Sequence, residues 1–272
     1  MNNRRYLVVG LIVGILILTF LLSKIFSGGH KTTNSINRSS SAILKTAADL
    51  TDKGDLLAAR NSYKQAFMQT SSVEDLEKIK SAIEDLNMKI LFSHIIDEKS
   101  SLYKVKPGDT LGKIAKAHFT TVELVKKING LTSDIIKVND ELKVPNFNFS
   151  IVVDRKQNKL FLKDNEEVFK TYLVSTGKDN ATPLGTFKII NKLVDPVWYN
   201  KDVGAAIPAD SPDNYLGPRW MGFDIKGYGI HGTIDPQSIG QSVTQGCVRM
   251  NNEDVKELYD LIPTQTEVVI VE

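Results

Sequence analysis

The pattern of hydrophobic and polar positions changes along the chain, and each change marks a predicted boundary. Residues 6–26 are almost continuously apolar, whereas residues 42–97 repeat apolar positions at spacings of three and four. Residues 102–146 mix short alternating stretches with helical spacing, and residues 149–272 alternate with a period of two. Spacings of three and four indicate helices, and a period of two indicates strands. The pattern therefore predicts a multidomain chain: a single transmembrane helix, an α-helical spacer, a small βααβ module and a mainly-β domain.

The apolar stretch at residues 6–26 predicts a membrane anchor. As a helix it covers about 30 Å, the hydrocarbon thickness of a bilayer. A cleaved secretory signal is the alternative, but it would have a shorter apolar region and a small-residue cleavage site. Arg4 and Arg5 precede the stretch, so the positive-inside rule predicts a cytoplasmic tail at residues 1–5. We therefore expect a single-pass protein of the cell membrane whose remaining chain lies on the extracytoplasmic, cell-wall side.

Residues 27–41 are polar and lack apolar periodicity, which predicts a flexible linker. The helical segment at residues 42–97 contains Ser71 and Glu74 at the spacing of a capping box. Its first half resembles a tetratricopeptide helix pair, although such repeats need neighbours to bury their faces. A spacer or a small oligomerisation hairpin is therefore the alternative to a peptide-binding unit.

Residues 102–146 predict the order strand, helix, helix, strand. Thr110 follows a Pro-Gly-Asp turn and can cap the first helix, while Thr120 and Glu123 fit a second capping box. The second helix should stop at Asn129 and Gly130.

This module resembles a LysM domain over nearly its full length, most clearly in the sequence YKVKPGDTLGKIAKAHFTTVELVKKINGL. The resemblance implies binding to the N-acetylglucosamine-containing glycan strands of peptidoglycan. The implied groove maps onto Gly108, Asp109, Thr110 and Leu111, beside the first turn from strand to helix, with the loop of Ile135 and Ile136 opposite. A stable module that no longer binds a ligand is the alternative.

In residues 149–272, strands are predicted at SIVVD, KLFLKD, EVFKTYLVSTG, GTFKIINK and EVVIVE. One helix is predicted at residues 253–261, with Val255, Leu258 and Ile262 facing inward and Asn251 or Asn252 as its cap. The site of such a domain is expected on its connecting loops.

The net charge of +2 gives no sign of a nucleic-acid-binding surface.

Cys247 is the only cysteine of the chain. Exported proteins usually pair their structural cysteines, so a single one suggests a chemical role. Such a role requires a neighbouring base, because only a few per cent of a free thiol is ionised at neutral pH. Of the four histidines, His231 alone shares the β domain with Cys247.

The residues around this pair fit acyl transfer. The Gly232 carbonyl can accept from one ring nitrogen of His231 and fix its tautomer, with Asp224 and Asp235 as other possible orienters. Gly246 lets backbone amides gather around an oxyanion. Arg249 can either pair with a substrate carboxylate or support the loop. One cysteine and one histidine are too few ligands for zinc, so neither a metal nor a cofactor is expected.

The motifs HGT and SVTQGCVRMNNEDV, preceded by STGKDNATPLGTFKI and LGPRWMGFDI, resemble the L,D-transpeptidase catalytic domain of the YkuD type. The resemblance implies that a cysteine attacks a peptidoglycan stem tetrapeptide, expels D-alanine and passes the acyl group to a neighbouring stem as a 3-3 cross-link. It makes Cys247 the nucleophile and His231 the base. It places the oxyanion hole at the amides of Gly246 and Cys247, with Arg249 as support.

Gln245 is a departure, because many members have histidine at this position. We assign Gln245, Thr244 and Trp220 to substrate binding. The expected partners are peptidoglycan stem peptides and glycan strands, together with the membrane. A thiol L,D-carboxypeptidase, with water as acceptor, and a non-enzymatic wall-binding scaffold are the alternatives.

Overall fold

The computed structural model describes residues 30–200 and 204–272, with side chains from residue 40 onward. The predicted tail at 1–5 and the anchor at 6–26 lie outside the described residues. Among the helices that are described, none has the length and apolar character needed to cross a membrane. The chain divides into two compact units, of which one ends at Ser93 and the other begins at His94.

From residue 30 onward the first unit contains three helices, α1 (His30–Asp52), α2 (Leu56–Gln69) and α3 (Val73–Phe92). The predicted linker at residues 27–41 is wrong from His30 onward, because α1 begins there. Serine, threonine and asparagine disfavour a helix by only a few tenths of a kcal/mol each, so a helix formed by the more apolar residues that follow can extend through them. The cap of α3 is also one residue from its predicted position. Ser72, rather than Ser71, accepts a hydrogen bond from the Asp75 amide at 3.2 Å.

The second unit begins with the predicted βααβ module. Its elements are β1 (Ser100–Lys104), α4 (Leu111–Ala117), α5 (Val122–Ile128) and β2 (Glu141–Pro145), and β1 and β2 pair antiparallel. The predicted element order is thus confirmed. The buried side chains of the module form one core: Val105, Leu111, Ile114, Ala115, Val125, Leu142 and Val144.

The two helices of this module differ in how well their caps were predicted. Thr110 caps α4 as predicted, with its hydroxyl 3.2 Å from the Lys113 amide. The predicted cap of α5 at Thr120 is wrong, because Thr121 caps the helix and accepts from the Leu124 amide at 2.9 Å. Thr121 has the extended backbone that a cap requires.

Most of the remaining chain forms β-strands. The strand bounds are β3 Phe149–Asp154, β4 Lys159–Asp164, β5 Glu167–Gly177, β6 Gly185–Val194, β7 Trp198–Asn200, β8 Ala205–Ile207, β9 Arg219–Phe223, β10 Gly229–His231, β11 Ser242–Thr244, β12 Val248–Met250 and β13 Glu267–Val271. Among the described residues nine of these strands form one sheet in the order β11-β5-β12-β10-β9-β6-β13-β3-β4, and this sheet closes on itself because β4 pairs with β3 and also with β5. Strands β7 and β8 form a separate two-stranded antiparallel sheet.

The five longer predicted strands correspond to β3, β4, β5, β6 and β13. The sequence patterns did not predict β7 to β12, most of which are three residues long. So short a strand shows no measurable alternation, and its pairing depends on the neighbouring strands.

The predicted C-terminal helix is present as α6 (Asn252–Leu261), one residue longer than expected. Its predicted inward residues Val255, Leu258 and Ile262 are fully buried. Helix α6 also contacts the βααβ module: the Thr121 hydroxyl donates to the Asp260 backbone carbonyl, and Lys127 forms an ion pair with the Asp260 carboxylate. A second ion pair, between Lys99 and Asp164 at 2.6 Å, also joins the module to the sheet.

Candidate active site

The centre of the site is the parallel pair β10 and β12. Ile230 lies opposite Val248, and His231 lies opposite Arg249. Cys247 immediately precedes β12. Extending the register by one residue places the Cys247 backbone across from Gly229, in agreement with the hydrogen bond from the Gly229 backbone to the Cys247 thiol. Strands lie about 4.8 Å apart and rise about 3.3 Å per residue, which puts the Cα atoms of Cys247 and His231 diagonally about 8 Å apart.

His231 is held in a buried position by backbone groups and by an aromatic ring. Its Nδ1 lies 2.7 Å from the Gly232 carbonyl oxygen, and the ring also hydrogen-bonds to the Tyr215 backbone. The Trp220 ring stacks on it with centroids 6.0 Å apart. Burial, aided by the charge of Arg249, lowers the pKa of His231 to about 4 despite the two backbone hydrogen bonds. The imidazole is therefore neutral at physiological pH.

The turn before Cys247 requires glycine at position 246. Gly246 has a φ of +127°, and a Cβ there would lie 2.7 Å from Tyr228 Cε1 and 2.9 Å from the Ala181 carbonyl oxygen. The buried Thr244 hydroxyl closes the turn, because it accepts from the Gly246 amide at 3.1 Å and donates to the Cys247 carbonyl at 2.7 Å. The Thr244 hydroxyl and the Gly246 amide are thus both engaged within the turn.

The Cys247 thiol lies 3.5 Å from the Gly227 carbonyl oxygen. Burial raises the pKa of Cys247, while a hydrogen bond from the Gly229 backbone and the charge of Arg249 act in the opposite direction. The pair at rest is therefore a neutral thiol beside a neutral imidazole. Proton transfer has to occur during the reaction rather than before it.

Arg249 connects β12 to the surrounding loops. Its Nη1 donates to the Ser238 hydroxyl at 2.8 Å, and its guanidinium lies 5.9 Å from the centre of the Tyr215 ring. The Ser238 hydroxyl in turn donates to the Asp235 carbonyl at 2.7 Å. Arg249 thereby supports the loop that precedes Cys247 and places a positive charge near the thiol.

Other predicted site residues occupy different surroundings. Gln245 is exposed, and the Trp220 indole nitrogen donates to the Asn191 side chain at 3.1 Å. Asp224 accepts from the Lys188 amide at 3.1 Å. Within residues 40–200 and 204–272, neither Asp224 nor Asp235 is hydrogen-bonded to His231, so the backbone carbonyl of Gly232 is its observed orienter. The same residues contain no cluster of three histidine, cysteine or acidic side chains that could hold a metal ion.

The predicted glycan-binding residues form a turn that its own side chains stabilise. Gly108 has a φ of +83°, and Thr110 caps α4. The Asp109 carboxylate accepts from the Tyr103 hydroxyl and the Lys106 amide, both at 2.8 Å, and these hydrogen bonds, that of the amide foremost, lower the pKa of Asp109. Across the module, Ile135 is 79% exposed. The turn is therefore stabilised by its own hydrogen bonds, Leu111 is buried in the core of the module, and the opposite loop exposes an apolar side chain.

The sequence patterns missed three residues of the site, Tyr215, Ser238 and Asn252. Tyr215 lies in a loop and Ser238 ends a single turn of 3-10 helix (Pro236–Ser238), and neither segment shows periodicity. Asn252 was considered only as a helix cap, although its Oδ1 accepts from the Thr233 amide at 2.8 Å. Only the proximity of the HGT segment to α6 in the fold reveals this contact.

Comparison with known proteins matches both modules to families. Residues 103–145 match the LysM domain, and residues 148–270 match the YkuD family, described as the L,D-transpeptidase catalytic domain. YqjB of Bacillus subtilis, named as an L,D-transpeptidase, is 41% identical over 128 residues that cover 45% of this chain and 70% of that protein. YkuD of Bacillus subtilis, also so named, is 35% identical over 178 residues that cover 62% of this chain and 97% of that protein.

Among solved structures, an L,D-transpeptidase from Mycobacterium smegmatis has a TM-score of 0.40 at 20% identity, covering 50% of this chain and 65% of that one. The sequence relatives define the class of protein: a LysM domain followed by a mainly-β transpeptidase domain. The chain belongs to the YkuD family of L,D-transpeptidases.

Proposed function

We propose that this chain is a cysteine-dependent peptidoglycan L,D-transpeptidase that forms 3-3 cross-links. The observation that carries the proposal is the parallel pairing of β10, which ends in His231, with β12, which directly follows Cys247, together with the hydrogen bond of His231 Nδ1 to the Gly232 carbonyl. A nucleophile beside a base that is oriented by a third group is the arrangement that acyl transfer requires.

Acylation begins when His231 takes the proton of the Cys247 thiol. The Cys247 sulfur attacks the carbonyl carbon between the third and fourth residues of a stem tetrapeptide, and the carbon–nitrogen bond to D-alanine then breaks. The His231 imidazolium returns the proton to the departing amine, which leaves a thioester on Cys247. The hydrogen bonds to the Gly232 and Tyr215 backbones favour the protonated ring and so support it during this transfer.

The second step passes the acyl group to an amine. The side-chain amine of a neighbouring stem attacks the thioester, His231 removes a proton from that amine, and Cys247 leaves as the thiol after reprotonation. Since the Gly246 amide is engaged by Thr244, we assign the Cys247 amide as the backbone donor to the oxyanion. Trp220 and Gln245 border the site and are proposed to contact the stem peptides.

We propose that the LysM domain binds the glycan through the turn at Gly108, Asp109 and Thr110. Its attachment to α6 through Asp260 would keep a bound strand near the transpeptidase domain and raise the local substrate concentration. We also propose that residues 6–26 anchor the chain, with both domains on the cell-wall side. A protease that is added to intact spheroplasts and removes both domains would support this orientation, whereas protection from cleavage would contradict it.

The decisive experiment combines intact-mass spectrometry with product analysis. The wild-type protein should form a covalent adduct with a carbapenem, and incubation with purified muropeptides should yield dimers joined through a 3-3 bond. Cys247→Ala should abolish both the adduct and the dimers while its melting temperature stays near that of the wild type. Trimmed tripeptides without dimers would identify a carboxypeptidase. A fully active Cys247→Ala protein would refute the proposed mechanism.

A further inference from the structure

Asn252 lies beside the segment that carries His231. It is the first residue of α6, and its side-chain oxygen accepts a hydrogen bond from the Thr233 amide at 2.8 Å. The cap position of the helix belongs to Asn251. The contact of Asn252 is therefore directed away from its own helix and toward the loop after β10.

Two glycines leave the space that this side chain fills. A Cβ placed on Gly232 would lie 2.5 Å from the Asn252 oxygen, and one placed on Gly217 would lie 2.7 Å from it. Real Cβ atoms do not approach an oxygen so closely. The glycine of the HGT motif is thus needed for the close approach of Asn252 to the loop.

The Thr233 amide and the Gly232 carbonyl belong to one peptide unit, and that unit is planar and rigid. On one side its carbonyl oxygen lies 2.7 Å from His231 Nδ1, and on the other its N–H donates to Asn252. A rotation of this plane would weaken both hydrogen bonds together. Because linked hydrogen bonds also polarise one another, Asn252 strengthens the carbonyl that holds the histidine.

We propose that Asn252 is a positioning residue for the transpeptidase reaction: it orients His231 through the Gly232–Thr233 peptide unit. In a catalytic triad an acidic side chain holds the histidine in the correct tautomer, and loss of that tautomer greatly slows catalysis. Here the Gly232–Thr233 peptide unit, held by Asn252, has this orienting role. The inference rests on the proposed role of His231 as the base, but the contact it invokes can be tested without turnover.

The test uses three variants of the full-length chain in detergent. Asn252→Leu keeps the approximate size of the side chain and removes the acceptor, whereas Asn252→Asp keeps an acceptor. Asn251→Ala is the matched control, because it shortens the asparagine one residue away at the start of the same helix, whose side chain makes no capping hydrogen bond, and leaves the Thr233 contact in place. Nitrogen-15 NMR of the histidine rings, assigned with His231→Gln, reports which nitrogen of His231 carries the proton.

We expect the wild type, Asn252→Asp and Asn251→Ala to show His231 protonated at Nδ1. In Asn252→Leu the form protonated at the other nitrogen should appear, and kcat should fall about tenfold or more with KM changed by less than about twofold. An unchanged tautomer in Asn252→Leu would overturn the proposal, whatever its kcat. An equal loss of kcat in Asn251→Ala would also overturn it, because helix stability would then be the cause.

The two proposals fail in different ways. If the wild type forms no cross-links and no adduct but Asn252→Leu still shifts the tautomer, the transpeptidase proposal fails and the positioning contact stands. If the wild type is active and the tautomer is the same in every variant, the positioning role fails alone.

Discussion

His231 and Arg249 lie opposite each other on neighbouring parallel strands, and the charge of Arg249 acts on both members of the proposed catalytic pair. It lowers the pKa of His231 and that of Cys247. For the histidine this effect adds to burial, whereas for the cysteine it opposes burial. Arg249 therefore stabilises the ionised sulfur but disfavours the imidazolium that forms when His231 takes the thiol proton, and the backbone hydrogen bonds of His231 act in the opposite direction.

The pH dependence of Cys247 alkylation follows from these effects. Because burial raises the pKa of Cys247, the rate of reaction with iodoacetamide should rise with pH and reach its midpoint above 9.0, the ordinary value for the thiol. Arg249→Gln should move the midpoint higher and lower the rate at pH 8, while Arg249→Lys should change it less because the charge remains. A midpoint near 6, or one unaffected by Arg249→Gln, would contradict this account.

The stability of the folded chain should also depend on His231. Its pKa falls from 6.5 in the unfolded chain to about 4 in the fold, so below pH 6.5 the unfolded chain binds the proton more readily. The contribution of His231 to the free energy of unfolding is therefore fully present above pH 6.5 and is lost as the pH falls through 4. At 1.36 kcal/mol per pKa unit, the loss amounts to at most about 3 kcal/mol. Urea unfolding at pH 7 and pH 4 should show this loss. In His231→Gln the difference in unfolding free energy between pH 7 and pH 4 should be smaller by this amount. A difference as large as that of the wild type would exclude His231 as its source.

The contact between Thr121 and Asp260 predicts an unequal cost of two cap substitutions. Thr110→Val removes only the cap of α4 and should cost about 1 kcal/mol. Thr121→Val removes the cap of α5 and also the buried hydrogen bond to the Asp260 carbonyl, so it should cost about 2 to 3 kcal/mol. Chemical denaturation measures both costs. Hydrogen exchange in α6 should increase only in Thr121→Val, and equal costs with unchanged exchange would show that the contact between the domains contributes nothing.

Gly246→Ala should displace the turn that holds Cys247. The added Cβ would lie less than 3.0 Å from the Tyr228 ring and from the Ala181 backbone. The φ of +127° is also a backbone conformation that residues other than glycine rarely adopt. We expect carbapenem acylation, followed by intact mass, to slow by about a hundredfold or more, because a displaced nucleophile loses its alignment. Gly130→Ala is the control, since Gly130 also has a positive φ but nothing lies within 4 Å of its Cβ position. Wild-type acylation in Gly246→Ala would show that the turn tolerates a side chain.

Much of the architecture could be predicted from local pattern. The βααβ order, the five long strands and α6 each depend on periodicity within a continuous stretch, and those predictions hold. The caps at Ser72 and Thr121 were each predicted one residue early, because either of two adjacent hydroxyl residues can cap a helix and only the backbone conformation selects between them. The start of α1 was missed because polar residues extend a helix that forms beyond them.

The sequence by itself determined which chemistry is available: a single cysteine, one histidine in the same domain, and glycines at positions 232 and 246. The tertiary structure decided how these groups act. The parallel pairing of β10 and β12 sets the distance between Cys247 and His231, and burial sets both of their pKa values. The hydrogen bond from Thr233 to Asn252 joins segments 19 residues apart, and no pattern within either segment encodes it. Local patterns reflect the period of the backbone, whereas distances, burial and shared peptide units arise only when distant segments pack together.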